Sequence, residues 1–143
     1  NQFDLLYITI GVLGWLQDLA TFFTILDRLL RPGGQILVYE MHPILELFEE
    51  DSGGTIRNDY FNKKPYLEEG ANDYMNPNAV IKSPSYWFHH PLAEILGNLI
   101  AHNFIITHFE EYAHDISNRA AFLSEQKNRP PMCFSLIAKK SSQ

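Results

Sequence analysis

The chain has 143 residues, of which 45% are hydrophobic and 20% are charged, as in an ordinary globular domain with a buried core. Its 11 Lys and Arg against 17 Asp and Glu give a formal net charge of −6. Because a nucleic-acid-binding surface needs a basic stripe to engage phosphates, this balance disfavours a nucleic-acid partner. The longest apolar stretch, residues 5–16, is too short to span a bilayer, so no membrane partner is expected.

The cysteine content and the first residues indicate where in the cell the protein is expected and whether the chain is part of a longer protein. The single cysteine, Cys133, excludes an intramolecular disulfide framework and fits a reducing compartment. The N-terminal residues lack the charged and apolar regions of a signal peptide, so a cytoplasmic location is expected. The chain starts at Asn1 and enters a strand-like run by Phe3, which predicts that it is an internal portion of a longer protein.

The first forty residues predict two strands joined by a helix. Residues 3–10 form an apolar run rich in β-branched and aromatic side chains, typical of a parallel strand that is covered on both faces. A helix with Asp18 as its N-cap is expected to run through Leu30, where residues 31–34 stop it with Pro and Gly. Residues 35–40 then form a second buried strand. This order predicts parallel strands with a crossover helix, which is half of a doubly wound sheet.

A long segment without periodicity follows the second strand. Pro43 is expected to open a short helix through residue 50. Residues 51–90 are rich in Gly, Asn, Pro and aromatic side chains, and they are called the lid below. A segment of this length is either disordered or functional, and its aromatic content favours a functional lid.

The C-terminal part predicts one more helix and two more strands. The helix spans residues 91–102 and ends at Asn103, a residue type that tolerates the left-handed conformation. Strands are predicted at 104–112 and 132–139, separated by a polar segment that carries a helical turn or two. Because no clear crossover helix joins them, these strands are expected to be antiparallel neighbours.

The order of these elements resembles the second half of a class I S-adenosylmethionine-dependent methyltransferase. In that family the fourth strand often begins Phe-Asp-Leu-Val, as residues 3–7 nearly do, and a Leu-Arg/Lys-Pro-Gly-Gly turn, here residues 30–34, leads from a helix into the fifth strand. The family closes with a helix and an antiparallel strand pair. The resemblance covers essentially the whole chain. It implies one partial α/β domain over residues 1–143: a Rossmann-like sheet of the fourth to seventh strands, with flanking helices and an inserted aromatic lid.

Two family features have no counterpart in the 143 residues. These are the Gly-rich loop after the first strand and the acidic residue that ends the second strand and binds the ribose hydroxyls. Gly11 and Gly14 are no substitute, because they follow the motif of the fourth strand. The resemblance therefore implies that the chain retains one wall of an S-adenosylmethionine pocket.

Ligands in such sheets bind at the carboxyl ends of the strands. The resemblance places Thr9, Ile10 and Gly11 beside the methionine part of the cofactor, although ordinary core and turn roles remain open for them. His42 follows the fifth-strand motif and faces the expected acceptor site, where it is a candidate base or a group that orients a substrate hydroxyl. A histidine that is merely hydrogen-bonded at a helix entry is the alternative.

Lid aromatics are the candidate substrate-binding residues. Tyr60, Tyr86 and Trp87 are suited to wall an apolar or aromatic acceptor pocket, with His89 as a further contact. The alternative is that these side chains only hold the lid onto the domain. The six histidines are scattered without ligand spacing to a carboxylate partner, so no metal site is expected.

Three functions compete at this point. The leading interpretation is a parent enzyme that methylates a small molecule, with this chain as its acceptor-side portion and inactive when isolated. The second is a non-catalytic truncated domain that self-associates, because an exposed edge of the first strand of the chain would pair with a second copy to form a homodimer. The third, a Rossmann-type oxidoreductase, is disfavoured by the antiparallel terminal pair and the missing dinucleotide fingerprint.

Overall fold

The computed structural model describes residues 2–49, 52–69, 76 and 83–142. The described part is a mixed α/β structure. In chain order its elements are β1 (Phe3–Ile8), α1 (Leu19–Leu29), β2 (Leu30–Met41), β3 (Tyr66–Glu68), β4 (Ser85–Trp87), α2 (Leu92–Ala101), β5 (Phe104–Tyr112), α3 (Ala121–Ser124) and β6 (Cys133–Lys140).

Four strands form one sheet in the order β1-β2-β6-β5. β1 runs parallel to β2, with Leu6 opposite Ile36, and β6 is antiparallel to both β2 and β5. The predicted antiparallel terminal pair is confirmed, and the mixed sheet agrees with the predicted partial Rossmann-like arrangement. β3 and β4 pair separately as a short antiparallel ribbon within the lid.

α1 begins as predicted but ends earlier. The Asp18 carboxylate accepts the backbone N–H groups of Ala20 and Thr21 at 2.9 and 3.2 Å, as an N-cap should. The prediction that the helix includes Leu30 is wrong, because Leu30 has extended backbone angles and already belongs to β2. Phe3 pairs with Leu30 while Leu5 pairs with Gln35, so the residues between them bulge out of the β1–β2 ladder.

Both long helices cover the same face of the sheet. Side chains at alternate positions of the strands point to this face, and they join those of α1 and α2 in one core. Its buried members include Phe23, Leu26, Ile36, Val38, Ile95, Leu99, Leu136 and Ala138. This core fixes β1 and β2 side by side, so their carboxyl ends lie at one edge of the sheet.

The opposite face of β1 is exposed, which corrects the expectation of a strand covered on both faces. Phe3, Leu5 and Tyr7 are 47%, 53% and 55% exposed, because no helix of the described ranges packs over them. Farther along this face the sheet is polar: the Ser135 hydroxyl bonds Tyr112 Oη at 2.9 Å and His108 Nε2 at 3.1 Å. The outer face therefore has exposed apolar side chains at the β1 edge and a polar cluster farther along.

The segment after β2 turns back sooner than predicted. Instead of a helix through residue 50, Pro43–Leu47 form a short 3₁₀ helix. The Leu47 carbonyl then accepts the N–H groups of Arg57 and Asn58 at 2.8 and 3.2 Å, which brings the first part of the lid against this turn. In the part of the chain that the structure describes, no helix is long and apolar enough to cross a membrane.

Candidate functional site

The loop after β1 lies at the carboxyl edge of the sheet, and residues 9–16 are called the β1 loop below. Thr9 and Ile10 are exposed, and Gly11 has a φ of +82°, a conformation that side chains with a Cβ rarely adopt. A single 3₁₀ turn, Leu13–Trp15, completes the loop. The chain therefore leaves β1 through a sharp turn whose first two residues are exposed.

Glu40, near the end of β2, holds this loop in place. Its carboxylate is buried and accepts backbone N–H groups from Gly11 at 2.6 Å, Met41 at 2.8 Å and Leu13 at 3.4 Å. Burial raises the pKa of Glu40, and the bonds from the backbone N–H groups oppose that rise. Sequence reasoning did not select Glu40 as a site residue. The available signal was a carboxylate at the end of an otherwise apolar strand.

His42 caps the turn that follows β2. Its Nδ1 accepts the Ile44 N–H at 3.1 Å, so Nε2 carries the hydrogen and donates to Glu111 Oε1 at 2.9 Å. The ring is buried, and desolvation lowers the pKa of His42 although the neighbouring Glu111 carboxylate opposes this shift. In this geometry His42 is a neutral imidazole with two hydrogen bonds. This matches the alternative given in the sequence analysis, a histidine that is merely hydrogen-bonded at a helix entry.

Trp87 is the central side chain of the lid. It is 8% exposed, and its Nε1–H donates to Glu46 Oε1 at 3.0 Å. The Arg119 guanidinium pairs with Glu46 Oε2 at 3.3 Å and lies over the indole, 5.5 Å from its centroid. Trp15 packs edge-on against Trp87, with ring centroids 5.3 Å apart. Trp87 thus contacts the β1 loop, the turn after β2 and the segment after β5.

The other lid candidates take different positions. The Tyr60 carbonyl accepts a hydrogen bond from His89 Nε2 at 2.6 Å, and the Tyr60 hydroxyl accepts the Leu92 N–H at 3.0 Å. His89 is buried, and desolvation lowers its pKa. Tyr60 and His89 therefore fix the lid to the start of α2. Tyr86 is 50% exposed and points away from Trp87, because neighbouring strand residues face opposite sides.

A cavity of about 40 Å³ lies at the carboxyl end of β2. It is large enough for water and too small for an organic acceptor. Three of the predicted residues, His42, Trp87 and His89, line it together with Glu40 and Glu46. The structure thus brings these three together, with Tyr60 behind His89 and Tyr86 elsewhere. Gly11 does not line the cavity, but its N–H donates to Glu40, which does.

A larger cavity of about 380 Å³ lies on the other side of Glu46. Its volume is within the range of small-molecule sites. Its walls combine apolar and polar side chains from the turn after β2, the lid and the segment before β6, among them Leu45, Phe48, Asn58, Tyr66, Arg119 and Phe122. Sequence reasoning missed this cavity, since no local pattern links the three segments. Among the described residues, no group of three His, Cys, Asp or Glu side chains is placed to hold a metal ion.

Comparison with known proteins gives matches among solved structures only. No family model and no curated protein sequence matches the chain. A proposed S-adenosylmethionine-dependent methyltransferase from Listeria monocytogenes matches at a TM-score of 0.67 and 13% identity, over 98% of this chain and 62% of that one. An S-adenosylmethionine-dependent methyltransferase from Mesorhizobium loti matches at a TM-score of 0.59 and 22% identity, over 97% of this chain and 62% of that one. A third, from Methanosarcina mazei, matches at a TM-score of 0.62 and 16% identity, over 99% of this chain and 61% of that one.

These matches identify the fold. The chain has the fold of the class I S-adenosylmethionine-dependent methyltransferases, as its element order predicted. It spans about 61–62% of the length of the three matched structures.

The environment of His42 predicts how stability depends on pH. Because folding holds the pKa of His42 below its ordinary 6.5, the unfolded chain binds a proton more readily. Stability from His42 is therefore present above about pH 6.5 and is lost as the pH falls below it. Glu40 acts in the opposite sense, since a raised carboxyl pKa makes the folded state more favourable at lower pH.

A His42→Asn variant separates the two effects, because Asn still accepts a backbone N–H as a cap. We expect urea unfolding from about pH 7 to pH 5 to show a smaller loss of stability for this variant than for the wild type. An unchanged slope in His42→Asn would contradict the assigned environment.

Proposed function

We propose that this chain is the acceptor-side portion of an S-adenosylmethionine-dependent methyltransferase that acts on a small molecule. One observation carries the proposal: the β1 loop, whose first two residues are exposed, lies beside the lid at the carboxyl edge of a methyltransferase-like sheet. Ligands of such sheets bind at this edge. The proposed domain covers residues 1–143, with residues 51–90 as the acceptor lid.

S-Adenosylmethionine is the cofactor of this proposal, and the β1 loop fits one side of it. Thr9 and Ile10 are exposed, and Gly11 presents backbone without a side chain. We assign these three residues to the methionine part of the cofactor. When bound, S-adenosylmethionine supplies an electrophilic methyl group on sulfur. The chain's own contribution is to align the acceptor and to exclude water, which the buried lid contacts of Trp87 and His89 favour.

A small acceptor is favoured by the lid and by the charge of the chain. The cavity of about 380 Å³ has room for a small organic molecule, and the net charge of −6 opposes a nucleic-acid acceptor. Trp87 and His89 line the small cavity at the end of β2 and not this larger one, so in this proposal they bound the acceptor site on the side of the β1 loop, and Tyr60 supports His89. Tyr86, half exposed, would meet the acceptor only from the outer side of the lid.

His42 is the candidate base in this proposal. Burial keeps its imidazole neutral and hence able to accept a proton. Nδ1 is occupied by the Ile44 N–H, and Nε2 carries the hydrogen donated to Glu111. The base role therefore requires the turn after β2 to open and release Nδ1.

Titration of S-adenosylhomocysteine into the ¹⁵N-labelled chain tests the cofactor assignment. We expect the amide resonances of Thr9, Ile10 and Gly11 to shift, with weak affinity because the chain supplies one wall of the pocket. We expect no methyl transfer by the chain alone. Unshifted resonances at these three residues at millimolar ligand would contradict their cofactor role, and turnover of any methyl acceptor would contradict the assignment as an acceptor-side portion.

Self-association is the second candidate function, and the outer face of β1 favours it. β1 is an edge strand, and its exposed side chains Phe3, Leu5 and Tyr7 form an apolar stripe next to the free edge. Such an edge is suited to pair with the β1 of a second copy. This interpretation makes a homodimer the functional form and does not require a cofactor.

Sedimentation equilibrium of the wild type and of Leu5→Lys distinguishes the two candidates. Self-association through β1 predicts a dimer that dissociates when a charge replaces Leu5 on this face. Ile100→Lys is the control, because Ile100 is 64% exposed on α2, away from the β1 edge. A monomeric wild type, or a dimer equally stable in Leu5→Lys, would exclude this route of association.

A further inference from the structure

Gly14 and Trp87 make a contact that a larger residue at position 14 would prevent. A Cβ placed on Gly14 would lie 2.1–2.3 Å from three atoms of the Trp87 ring, far inside van der Waals contact. The indole therefore lies directly on the backbone of the β1 loop. The same ring approaches Gly11, where a Cβ would be 4.0 Å from Trp87 Cη2. Both glycines of the β1 loop thus lie close to Trp87.

Backbone and side-chain hydrogen bonds reinforce this contact. The Phe88 N–H donates to the Gly14 carbonyl at 2.8 Å. Two residues farther along the lid, His90 Nε2 donates to the Leu16 carbonyl at 2.7 Å. The lid is thus attached to the β1 loop just after Trp87, because Phe88 and His90, two residues apart, bond to Gly14 and Leu16, also two residues apart.

The β1 loop is held from its other side by the sheet. Glu40 accepts the N–H groups of Gly11 and Leu13, so the loop lies between a buried carboxylate and the lid. Next to the ring atoms that approach Gly14, Trp87 Nε1 donates to Glu46 Oε1 at 3.0 Å. Movement of the ring therefore displaces both the β1 loop and the turn after β2, because close-packed groups of this kind have little free volume to absorb a shift.

We propose that Trp87 is a positioning residue that joins the β1 loop to residues 85–90 of the lid, so that these two segments shift together. The inference deepens the proposed function and rests on it: a ligand on the β1 loop would stabilise the observed position of residues 85–90, and an acceptor against these residues would stabilise the observed form of the loop. Because such coupling is reciprocal, each ligand would strengthen the binding of the other.

A double-mutant cycle tests the coupling without any cofactor. The four proteins are the wild type, Gly14→Ala, Trp87→Leu and the double variant, and the readout is amide hydrogen exchange of Phe88 and Gly11. Gly14→Ala should speed exchange at both amides about tenfold, because the added methyl group displaces the indole from the loop. In the Trp87→Leu background the same substitution should change exchange less than about twofold, since the clash is gone.

Gly97→Ala is the matched control, because a Cβ at Gly97 in α2 meets no atom within 4 Å. It should leave both amides unchanged. Tryptophan fluorescence gives an independent signature: the chain has two tryptophans, and Trp15 and Trp87 are in contact with each other. Gly14→Ala should shift the emission to longer wavelength, whereas Gly97→Ala should not.

Two results would overturn the inference. In the first, Gly14→Ala speeds exchange at Phe88 and leaves Gly11 unchanged, which means that the lid and the loop move independently. In the second, Gly14→Ala speeds amide exchange by the same factor in the wild type and in the Trp87→Leu background. Failure of S-adenosylhomocysteine to bind would count against the proposed function and would leave these exchange results as they are, so the two failures are distinguishable.

Discussion

The arrangement of the site depends on the buried carboxylate of Glu40. A charged group removed from water is costly unless it is hydrogen-bonded, and here three backbone N–H groups supply the bonds. Two of them belong to Gly11 and Leu13 of the β1 loop, which precede Glu40 by 29 and 27 residues. The loop cannot leave this position without leaving the carboxylate buried and underbonded, so one side chain fixes how the chain exits β1.

The same strand alternation that builds the core also places the site. Along β2, Ile36 and Val38 point into the core beneath α1 and α2. Glu40 and His42 follow at the same two-residue spacing and are buried at the carboxyl end of the strand. There the apolar core gives way to hydrogen-bonded groups under the lid. The fold thus needs no separate element to carry these two residues, because they continue the core face of a strand.

Much of the fold could be predicted from local patterns, because those patterns reflect local physics. The Asp18 cap, the strand at 104–112 and the left-handed Asn103, with a φ of 59°, were all predicted correctly. The end of α1 was not, because Leu30 is equally suited to finish a helix or to start a buried strand. Whether Leu30 ends the helix or starts the strand depends on its pairing with Phe3, 27 residues away in the chain.

Burial of β1 was overestimated for a related reason. A continuous apolar run indicates that both faces can be covered, but whether they are depends on what packs there. For the site, the residue types of the lid pointed to Trp87 and His89, and the structure has both beside His42 at one small cavity, while their role stays a prediction. Glu40 and Gly14 were not selected, because their roles arise from partners far along the chain: Gly11 for Glu40, and Trp87 for Gly14. Periodicity cannot identify such partners.

The most direct test of this account is calorimetric titration of S-adenosylhomocysteine into the wild type and Glu40→Gln. Gln keeps the size of Glu but turns one N–H acceptor into a donor, so the β1 loop loses part of its support. The account predicts binding by the wild type and at least about tenfold weaker binding by the variant, a difference of about 1.4 kcal/mol. Glu110→Gln, at an exposed position on β5, should bind as the wild type does. Equal affinity in Glu40→Gln, or no binding by the wild type, would contradict the claim that Glu40 shapes a cofactor-binding loop.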